Sequence, residues 1–183
     1  LTIGWSDGNT FLPVNFALMS TKNRANLVGT KACVTDQRTI AGQRRNQAQR
    51  KMNDVVIELI HQALKFGISA KYVLFDSWYS SPRMFWRLKE LGLDSGAMLK
   101  RSSKVYYRYR GRAYSIKALY LRLLHSKRHQ AENYLYSSNV EANFQGYSFP
   151  LKVVFVAKKG TKNQYLVLAS TNTKLTPQKI IQL

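Results

Sequence analysis

The chain has 183 residues, of which 45% are hydrophobic, so it is long enough to bury a core for one domain or for a domain with an insertion. Its 29 lysine and arginine residues stand against 9 aspartate and glutamate residues, and the net charge of +20 predicts a polyanionic partner, with nucleic acid as the first candidate. No long uncharged apolar run is present, which argues against a membrane role, and the single Cys33 excludes an internal disulfide and fits a reducing cytoplasm.

Two strands joined by a tight turn are predicted at the start of the chain. Residues 1–5 and 10–19 have the composition of strands, and Asp7 followed by Gly8 is a favoured pair for a hairpin turn between them. The first residues read as if the chain begins inside a strand, so we expect the sequence to be the middle of a longer protein.

One long basic helix is predicted from about residue 43 to residue 66. An apolar stripe runs along its second half, and Gly67 is a typical helix terminator. Its first half is rich in cations, and three of these are candidate contacts for a DNA backbone: Arg44, Arg45 and Arg50.

A short apolar strand, residues 71–75, ends on the carboxylate of Asp76. A strand of this kind is typical of a sheet covered on both faces, and ligands of open α/β sheets bind at the carboxyl ends of the strands. Burial of an unpaired carboxylate is unfavourable, and a metal ion would offset that penalty. We therefore predict Asp76 as a metal ligand or catalytic residue; the alternative is a carboxylate that caps the loop or pairs with an arginine such as Arg83.

A second helix over residues 81–91 and a strand over residues 95–100 complete a strand, strand, helix, strand, helix, strand order. Ser81 as cap, Pro82 at the first position and Gly92 after the end support this helix. The order predicts the α/β class, with a mixed sheet and helices packed on it.

After residue 100 the chain becomes rich in strand-forming residues, and basic residues alternate with tyrosines. Cations contact phosphates and aromatic rings stack on exposed bases, so the run predicts contact with nucleic acid. The alternative is a solvated hairpin whose tyrosines pack on one face. The candidate residues are Lys100, Arg101, Lys104, Arg108, Arg110, Arg112, Tyr107 and Tyr109.

A hard oxygen ligand at Asp76 points to Mg²⁺ or Mn²⁺, and beside a basic surface the natural reaction is phosphodiester chemistry with two ions. That mechanism needs about three carboxylates, and the sequence supports one. The remaining acids are expected to have ordinary solvated roles: Asp7, Asp36, Asp54, Glu58, Glu90, Asp94, Glu132 and Glu141.

Four segments resemble bacterial insertion-sequence transposases of the DDE class, in the insertion-sequence-four-like family with a β-rich insertion. These are "LTIGWSDGNTFLPVNFALMSTKN", "YVLFDSWYSSPRMFWRLKELGL" and "LVLASTNTKLTPQKIIQL", together with the basic stretch "RTIAGQRRNQAQRKMNDVV". The blocks "DSWYSS" and "STNT-LTPQKII" are the most specific parts of the resemblance.

The resemblance implies a ribonuclease H-like mixed sheet with flanking helices, interrupted by a β-rich insertion. It divides the chain into an incomplete core over 1–102, the insertion over 103–172, and over 173–183 the start of a helix that returns to the core. Asp76 matches the second acid of an Asp, Asp, Glu set that binds two divalent ions. The first Asp is expected upstream of Leu1 and the Glu beyond Leu183, so the chain alone is expected to be inactive.

The implied function is DNA strand cleavage and strand transfer in transposition. The implied partners are transposon ends and target DNA, with a possible homodimer of the intact protein in the bacterial cytoplasm, associated with the nucleoid when bound to DNA. Two alternatives remain open. One is a non-enzymatic basic nucleic-acid-binding module, and the other is a ribonuclease H-like nuclease with a different substrate.

Overall fold

The computed structural model describes residues 1–27, 36–125, 134–157 and 164–183. Within them the chain forms two compact units, residues 1–70 and residues 71–183. Cys33 and Glu132 lie outside the described residues.

The first unit begins with an antiparallel hairpin of β1 (Thr2–Ser6) and β2 (Phe11–Phe16). Oδ1 of Asp7 accepts hydrogen bonds from the backbone N–H groups of Asn9 (2.9 Å) and Thr10 (2.7 Å), and Gly8 has a φ of +100°. A positive φ suits glycine because it has no Cβ. The predicted hairpin turn is therefore confirmed.

The basic segment of the first unit forms two helices, α1 (Ile40–Ala48) and α2 (Met52–Lys65), so the prediction of one continuous helix is wrong. The N–H groups of Gln49 and Arg50 turn back to the carbonyls of Asn46 and Gln47, and Lys51 is extended. The apolar stripe that supports a helix starts only with α2. Without a continuous apolar face, nothing holds the two segments in one helix. A short 3₁₀ helix, Arg24–Asn26, precedes them.

The core of the first unit lies between α2 and the hairpin. Val55 and Leu59 are fully buried and pack with Ala17, and partly buried residues of the hairpin segment complete the cluster: Leu1, Ile3 and Met19. Gly67 has a φ of +85°, and the N–H of Ile68 donates to the carbonyl of Ala63. Gly67 thus ends α2, as the sequence predicted.

The second unit is built on a seven-stranded sheet in the order β3-β4-β9-β8-β7-β5-β6. Its strands β3 and β4 are parallel, and the other neighbours are antiparallel. The bounds of its strands are β3 (Tyr72–Phe75), β4 (Asp94–Met98), β5 (Tyr107–Tyr109), β6 (Arg112–Tyr114), β7 (Tyr136–Phe144), β8 (Tyr147–Ala157) and β9 (Tyr165–Ser170).

The α/β class with a mixed sheet is confirmed, but the sheet differs from the expected one in its membership. The hairpin β1–β2 forms a two-stranded sheet of its own, whereas the sequence order suggested that it would join β3 and β4. The strands β5–β9 belong to the same sheet as β3 and β4. The division of the chain at residue 102 therefore stays a prediction.

Strand β3 lies at the end of the seven-stranded sheet rather than inside it. In the described part of the chain its hydrogen-bonded neighbour is β4, and the side chain of Leu74 is 52% exposed. The prediction of a strand covered on both faces is therefore wrong. An apolar run of four residues does not reveal whether a strand has one neighbour or two.

Three helices accompany the sheet: α3 (Pro82–Glu90), α4 (Ile116–His125) and α5 (Pro177–Gln182). Ser81 Oγ accepts from the N–H of Met84 at 3.3 Å, and Gly92 has a φ of +75°, so both predicted ends of α3 are confirmed. Thr176 Oγ1 accepts from the N–H of Lys179 at 3.2 Å and caps α5, which confirms the helix start expected within residues 173–183.

The core of the second unit contains Tyr107 and Tyr109, which are only 3% and 8% exposed. They alternate with the exposed Arg108 on β5, because successive side chains of a strand point to opposite faces. The hairpin β5–β6 turns at Arg110 and Gly111, whose φ values are +48° and +76°. Among the residues that the structure describes, no helix has the length and apolar character needed to cross a membrane.

We predict that Tyr107→Phe removes part of the loss of stability at alkaline pH. Burial raises the pKa of Tyr107 well above its ordinary value. The unfolded chain therefore loses this proton near pH 10 while the folded chain keeps it, so folding stability falls as pH rises above about 10. Urea unfolding between pH 9 and 11 measures the slope, to which one such group contributes up to about 1.4 kcal/mol per pH unit.

The matched control is Tyr106→Phe, because Tyr106 is the adjacent tyrosine and is 57% exposed. It is expected to leave the slope unchanged. Equal effects of the two substitutions would contradict the placement of Tyr107 in the core.

Candidate functional site

The carboxyl ends of β3 and β4 lie at one edge of the sheet because the two strands are parallel neighbours. Their register pairs residues 72–75 with residues 94–97. Asp76 therefore follows β3 at this edge, and Lys100 follows β4 at the same edge. We call Asp76, Trp78 and Lys100 the carboxylate edge.

The carboxylate of Asp76 is exposed to solvent. Its Oδ1 accepts a hydrogen bond of 2.9 Å from the backbone N–H of Trp78. The argument that Asp76 is a buried carboxylate in need of a cation is therefore wrong, and the alternative role in capping the loop is present. The two roles are compatible, because an exposed carboxylate has several lone pairs and one N–H occupies one of them.

Two side chains beside Asp76 add to the character of this edge. The indole of Trp78 is 69% exposed, and the ammonium nitrogen of Lys100 lies 5.9 Å from its ring centroid. Burial, and after it the negative charge of Asp76, raises the pKa of the Tyr79 phenol. The carboxylate edge thus combines an anion, a cation and an exposed aromatic ring, and the Tyr79 phenol lies beside it.

Sequence reasoning selected Asp76 and Lys100 at this edge but missed Trp78. The available signal was the "DSWY" stretch itself, because a tryptophan directly after a turn at the end of a strand has no apolar face to join. An aromatic residue at such a position is a candidate for contact with a ligand.

In the described part of the chain, the carboxylate edge offers one carboxylate that could hold a metal ion, Asp76. Hard carboxylate oxygens fit Mg²⁺ and Mn²⁺, so the donor chemistry of Asp76 suits these ions. No group of three or more His, Cys, Asp or Glu side chains comes together within the residues described here. A two-ion site accordingly needs further carboxylates at this edge.

Asp94 lies at the opposite end of β4 from the carboxylate edge and has a structural role. Its Oδ2 accepts from the side-chain amide of Asn172 at 2.8 Å, and its Oδ1 accepts from the hydroxyl of Thr171 at 3.4 Å. The side chain is half-buried, so the expectation of an ordinary solvated turn residue is wrong. Asp94 instead ties the start of β4 to the segment after β9.

The predicted DNA contacts of the first unit are exposed, and two of them also hold the fold together. Arg44 donates to the carbonyl oxygen of Phe16 at 2.7 Å, and its guanidinium lies 5.5 Å from the Phe16 ring centroid. Arg50 forms an ion pair of 2.6 Å with Glu58. Arg45 is exposed on α1. All three arginines are thus at the surface and can reach a ligand. Arg44 and Arg50 also stabilise the local structure through these contacts.

The predicted contacts after residue 99 separate into two groups. The cations of this run are all exposed: Lys100, Arg101, Lys104, Arg108, Arg110 and Arg112. Tyr107 and Tyr109 are buried, so the prediction that their rings stack on bases is corrected to the alternative, in which the tyrosines pack inward and the arginines face solvent. Two of the cations lie over rings, Arg101 over Tyr165 at 5.1 Å and Arg110 over Tyr109 at 5.4 Å.

Comparison with known protein families gives one match. The model of a family described as DDE superfamily endonuclease matches residues 1–120, which include the carboxylate edge and the hairpin β5–β6. No curated protein and no solved structure matches the chain.

We predict effects of different size on stability for the two aspartates at the opposite ends of the β3–β4 pair. Asp94→Ala is expected to lower the free energy of unfolding by about 1–3 kcal/mol, because it removes the acceptor at 2.8 Å from the half-buried Asn172 amide and leaves that amide only the longer bond of 3.3 Å to the Tyr72 hydroxyl. Asp76→Ala is expected to change it by less than about 1 kcal/mol, because its one hydrogen bond is exposed. Urea unfolding of both variants measures the difference, and a larger loss for Asp76→Ala would contradict the assignment of roles.

Proposed function

Because the chain belongs to the DDE superfamily endonuclease family, we propose that it forms part of the catalytic domain of an insertion-sequence transposase. The family implies metal-dependent cleavage with DNA as the substrate. The proposal adds strand transfer in DNA transposition, an insertion-sequence-four-like origin, and a ribonuclease H-like core interrupted by the β-rich region 103–172.

The position of Asp76 is the observation that carries the proposal. It directly follows a strand that runs parallel to its neighbour, at the edge where both strands end. Its side chain is exposed, and the N–H of Trp78 holds Oδ1. The backbone orients this carboxylate, and it is open to solvent. It can therefore bind a cation, and a DNA strand can approach that cation from solvent.

In the proposed reaction Asp76 supplies hard oxygen ligands for Mg²⁺ or Mn²⁺, with two ions in the intact enzyme. A bound divalent ion would activate the attacking oxygen and stabilise the departing one. The Trp78 N–H keeps the carboxylate oriented, and Lys100 places a positive charge at the same edge for a DNA phosphate. These residues bind and orient the scissile strand.

The proposed chemistry consists of two phosphoryl transfers at DNA. In the first, a water oxygen bonds to phosphorus at the transposon end, the bond from phosphorus to the 3′ oxygen breaks, and that oxygen leaves as a 3′ hydroxyl. In the second, this 3′ oxygen bonds to a phosphorus of target DNA and displaces a 3′ hydroxyl of the target strand. Each step forms one P–O bond and breaks one, so no oxidant or reductant is needed.

The two further carboxylates of the proposed site come from segments beyond the printed sequence, as the family resemblance implies. An Asp on a strand before Leu1 and a Glu on the helix that α5 begins would complete the set. The outer edge of β3 supports the first part, because in the described residues β3 pairs only with β4. An added strand would satisfy the backbone groups of that edge.

We predict that the 183-residue chain shows no metal-dependent DNA cleavage, and that a chain extended at both ends does. In the extended chain, Asp76→Asn is expected to lower the cleavage rate by at least about 10³-fold, because it removes an anionic ligand while keeping the shape of the side chain. Cleavage of end-labelled duplex DNA in Mn²⁺ measures the rate.

Glu141→Gln provides the matched control, since Glu141 is an exposed carboxylate on β7. It is expected to cleave at the rate of the unsubstituted chain. Full activity of Asp76→Asn would remove the catalytic role and favour the non-enzymatic nucleic-acid-binding alternative.

We also predict that the exposed arginines of the β5–β6 hairpin contact DNA phosphates. Replacement of Arg108, Arg110 and Arg112 by Ala is expected to reduce the slope of log K against log salt by about 2.7 for duplex DNA, because each phosphate contact contributes about 0.9. Lys65→Ala, at an exposed cation of α2 outside the predicted contacts, is expected to keep the slope. An unchanged slope in the triple variant would refute the contact.

A further inference from the structure

A cleft of about 440 Å³ lies between α3 and the tip of the β7–β8 hairpin, within the second unit. It is distinct from the carboxylate edge and from the basic residues discussed above. Its lining combines two arginines, two stacked aromatic rings and a hairpin turn: Arg83, Trp86, Arg87, Glu90, Phe144, Gln145 and Tyr147.

The aromatic part of this cleft is a stacked pair of rings, of which the outer ring is exposed to solvent. The rings of Trp86 and Tyr147 lie 4.9 Å apart with an interplanar angle of 14°. Trp86 also contacts the ring of Phe149 at 5.8 Å, and Phe149 is only 1% exposed, so the inner end of the stack is anchored in the core. Tyr147 is 59% exposed, so a further planar group can extend the stack from outside.

The hairpin turn fixes the position of Tyr147. Gln145 and Gly146 have φ values of +51° and +87°, and Phe144 pairs with Tyr147 across the turn. This is the backbone geometry of a tight two-residue turn, whose twist matches that of the flanking strands. The exposed ring is therefore held before any ligand binds, which reduces the entropy lost on binding.

The charged part of the cleft lies on one face of α3. Arg83 and Arg87 are four residues apart, so their side chains are neighbours on the helix, and Trp86 lies beside them at the i+3 position of Arg83. The acid of the cleft lining is Glu90, which lies with Arg87 in the last turn of α3, whereas Arg83 lies at the start of the helix. That start follows the loop that leaves Asp76.

We propose that this cleft binds one nucleotide of a single-stranded DNA segment. The base stacks on the open face of Tyr147, and Arg83 and Arg87 bind the adjoining phosphates. An unpaired base is required, because a base within a duplex already has both faces stacked. The choice of DNA as the polymer rests on the proposed function, whereas the stacking and phosphate chemistry rest on the cleft.

The location of the cleft relates it to the carboxylate edge. Arg83 lies in the first turn of α3, and the helix of nine residues is roughly 13 Å long. A strand that passes Asp76 and continues along α3 meets Arg83 first, then Arg87 and Tyr147. The cleft thus holds the segment of unpaired strand beside the cleavage position.

The test measures binding of a labelled oligo-dT of roughly 12 nucleotides to the full 183-residue chain by fluorescence anisotropy, with EDTA present. Tyr147→Ala is expected to raise Kd by roughly 5- to 150-fold, the range for loss of one base stack. The double variant Arg83→Ala with Arg87→Ala is expected to lower the salt slope by about 1.4, since each phosphate contact on a single strand contributes about 0.7.

Three variants serve as controls. Tyr147→Phe keeps the ring and is expected to keep the affinity. Tyr106→Ala removes another exposed tyrosine, and Lys89→Ala removes an exposed cation of α3 outside the cleft lining; both are expected to leave Kd within about twofold.

Unchanged binding by Tyr147→Ala, or an equal loss in Tyr106→Ala, would overturn the proposal. If Tyr147→Ala does not fold, the arginine double variant decides, because an unchanged salt slope in that variant also overturns it. Binding in EDTA does not depend on a metal at Asp76. If the protein binds oligo-dT through this cleft but the extended chain never cleaves DNA, the result supports this inference. It then refutes only the proposed catalytic function.

Discussion

The contact between Phe75 and Phe85 fixes the position of the candidate site. Phe75 is the last residue of β3, directly before Asp76, and its ring lies 5.4 Å from that of Phe85 at an angle of 50°. Phe85 is fully buried in α3, so the end of the strand and the start of the helix are joined through the core. Such an aromatic pair contributes about 0.5–1.5 kcal/mol to folding stability, in addition to the contribution from burial of the two rings. This contact holds both ends of the loop of residues 76–81. It thereby also limits the direction in which the Asp76 carboxylate can point.

Features set by neighbouring residues in the chain were predictable from the sequence. Ser81, Pro82 and Gly92 bound α3 through local hydrogen bonds and backbone angles, so their types alone identify the ends of the helix. The position of Asp76 at the carboxyl end of β3 was predictable for the same reason, because a strand followed by a helix puts the connecting residue there. On β5, the alternation of Tyr107, Arg108 and Tyr109 places the arginine and the tyrosines on opposite faces of the strand.

Features set by distant residues were not predictable. The edge position of β3 depends on which strands pair with it, and the burial of Tyr107 and Tyr109 depends on the sheet that β5 joins. The alternating pattern showed that tyrosines and arginines face opposite ways but not which face meets the core. The cleft at Trp86 and Tyr147 joins residues about sixty positions apart, and Asp94 is explained only by the return of the chain to Asn172. Local sequence contains no signal for such pairings.

The net charge of +20 acts on DNA binding and on metal binding in opposite directions. A positive field attracts the DNA polyanion and speeds its association, but it repels a divalent cation from a single carboxylate. Some of the cations are engaged within the protein, as Lys152 is with the carbonyl of Leu175 at 2.6 Å and Arg50 is with Glu58, so fewer than the 29 lysine and arginine side chains are available to DNA. Under the proposal, bound DNA would neutralise part of the remaining field and bring phosphate oxygens to the carboxylate edge. In the proposed function, therefore, DNA and the metal ion favour each other's binding at Asp76, and the exposed carboxylate without DNA is a weak cation site.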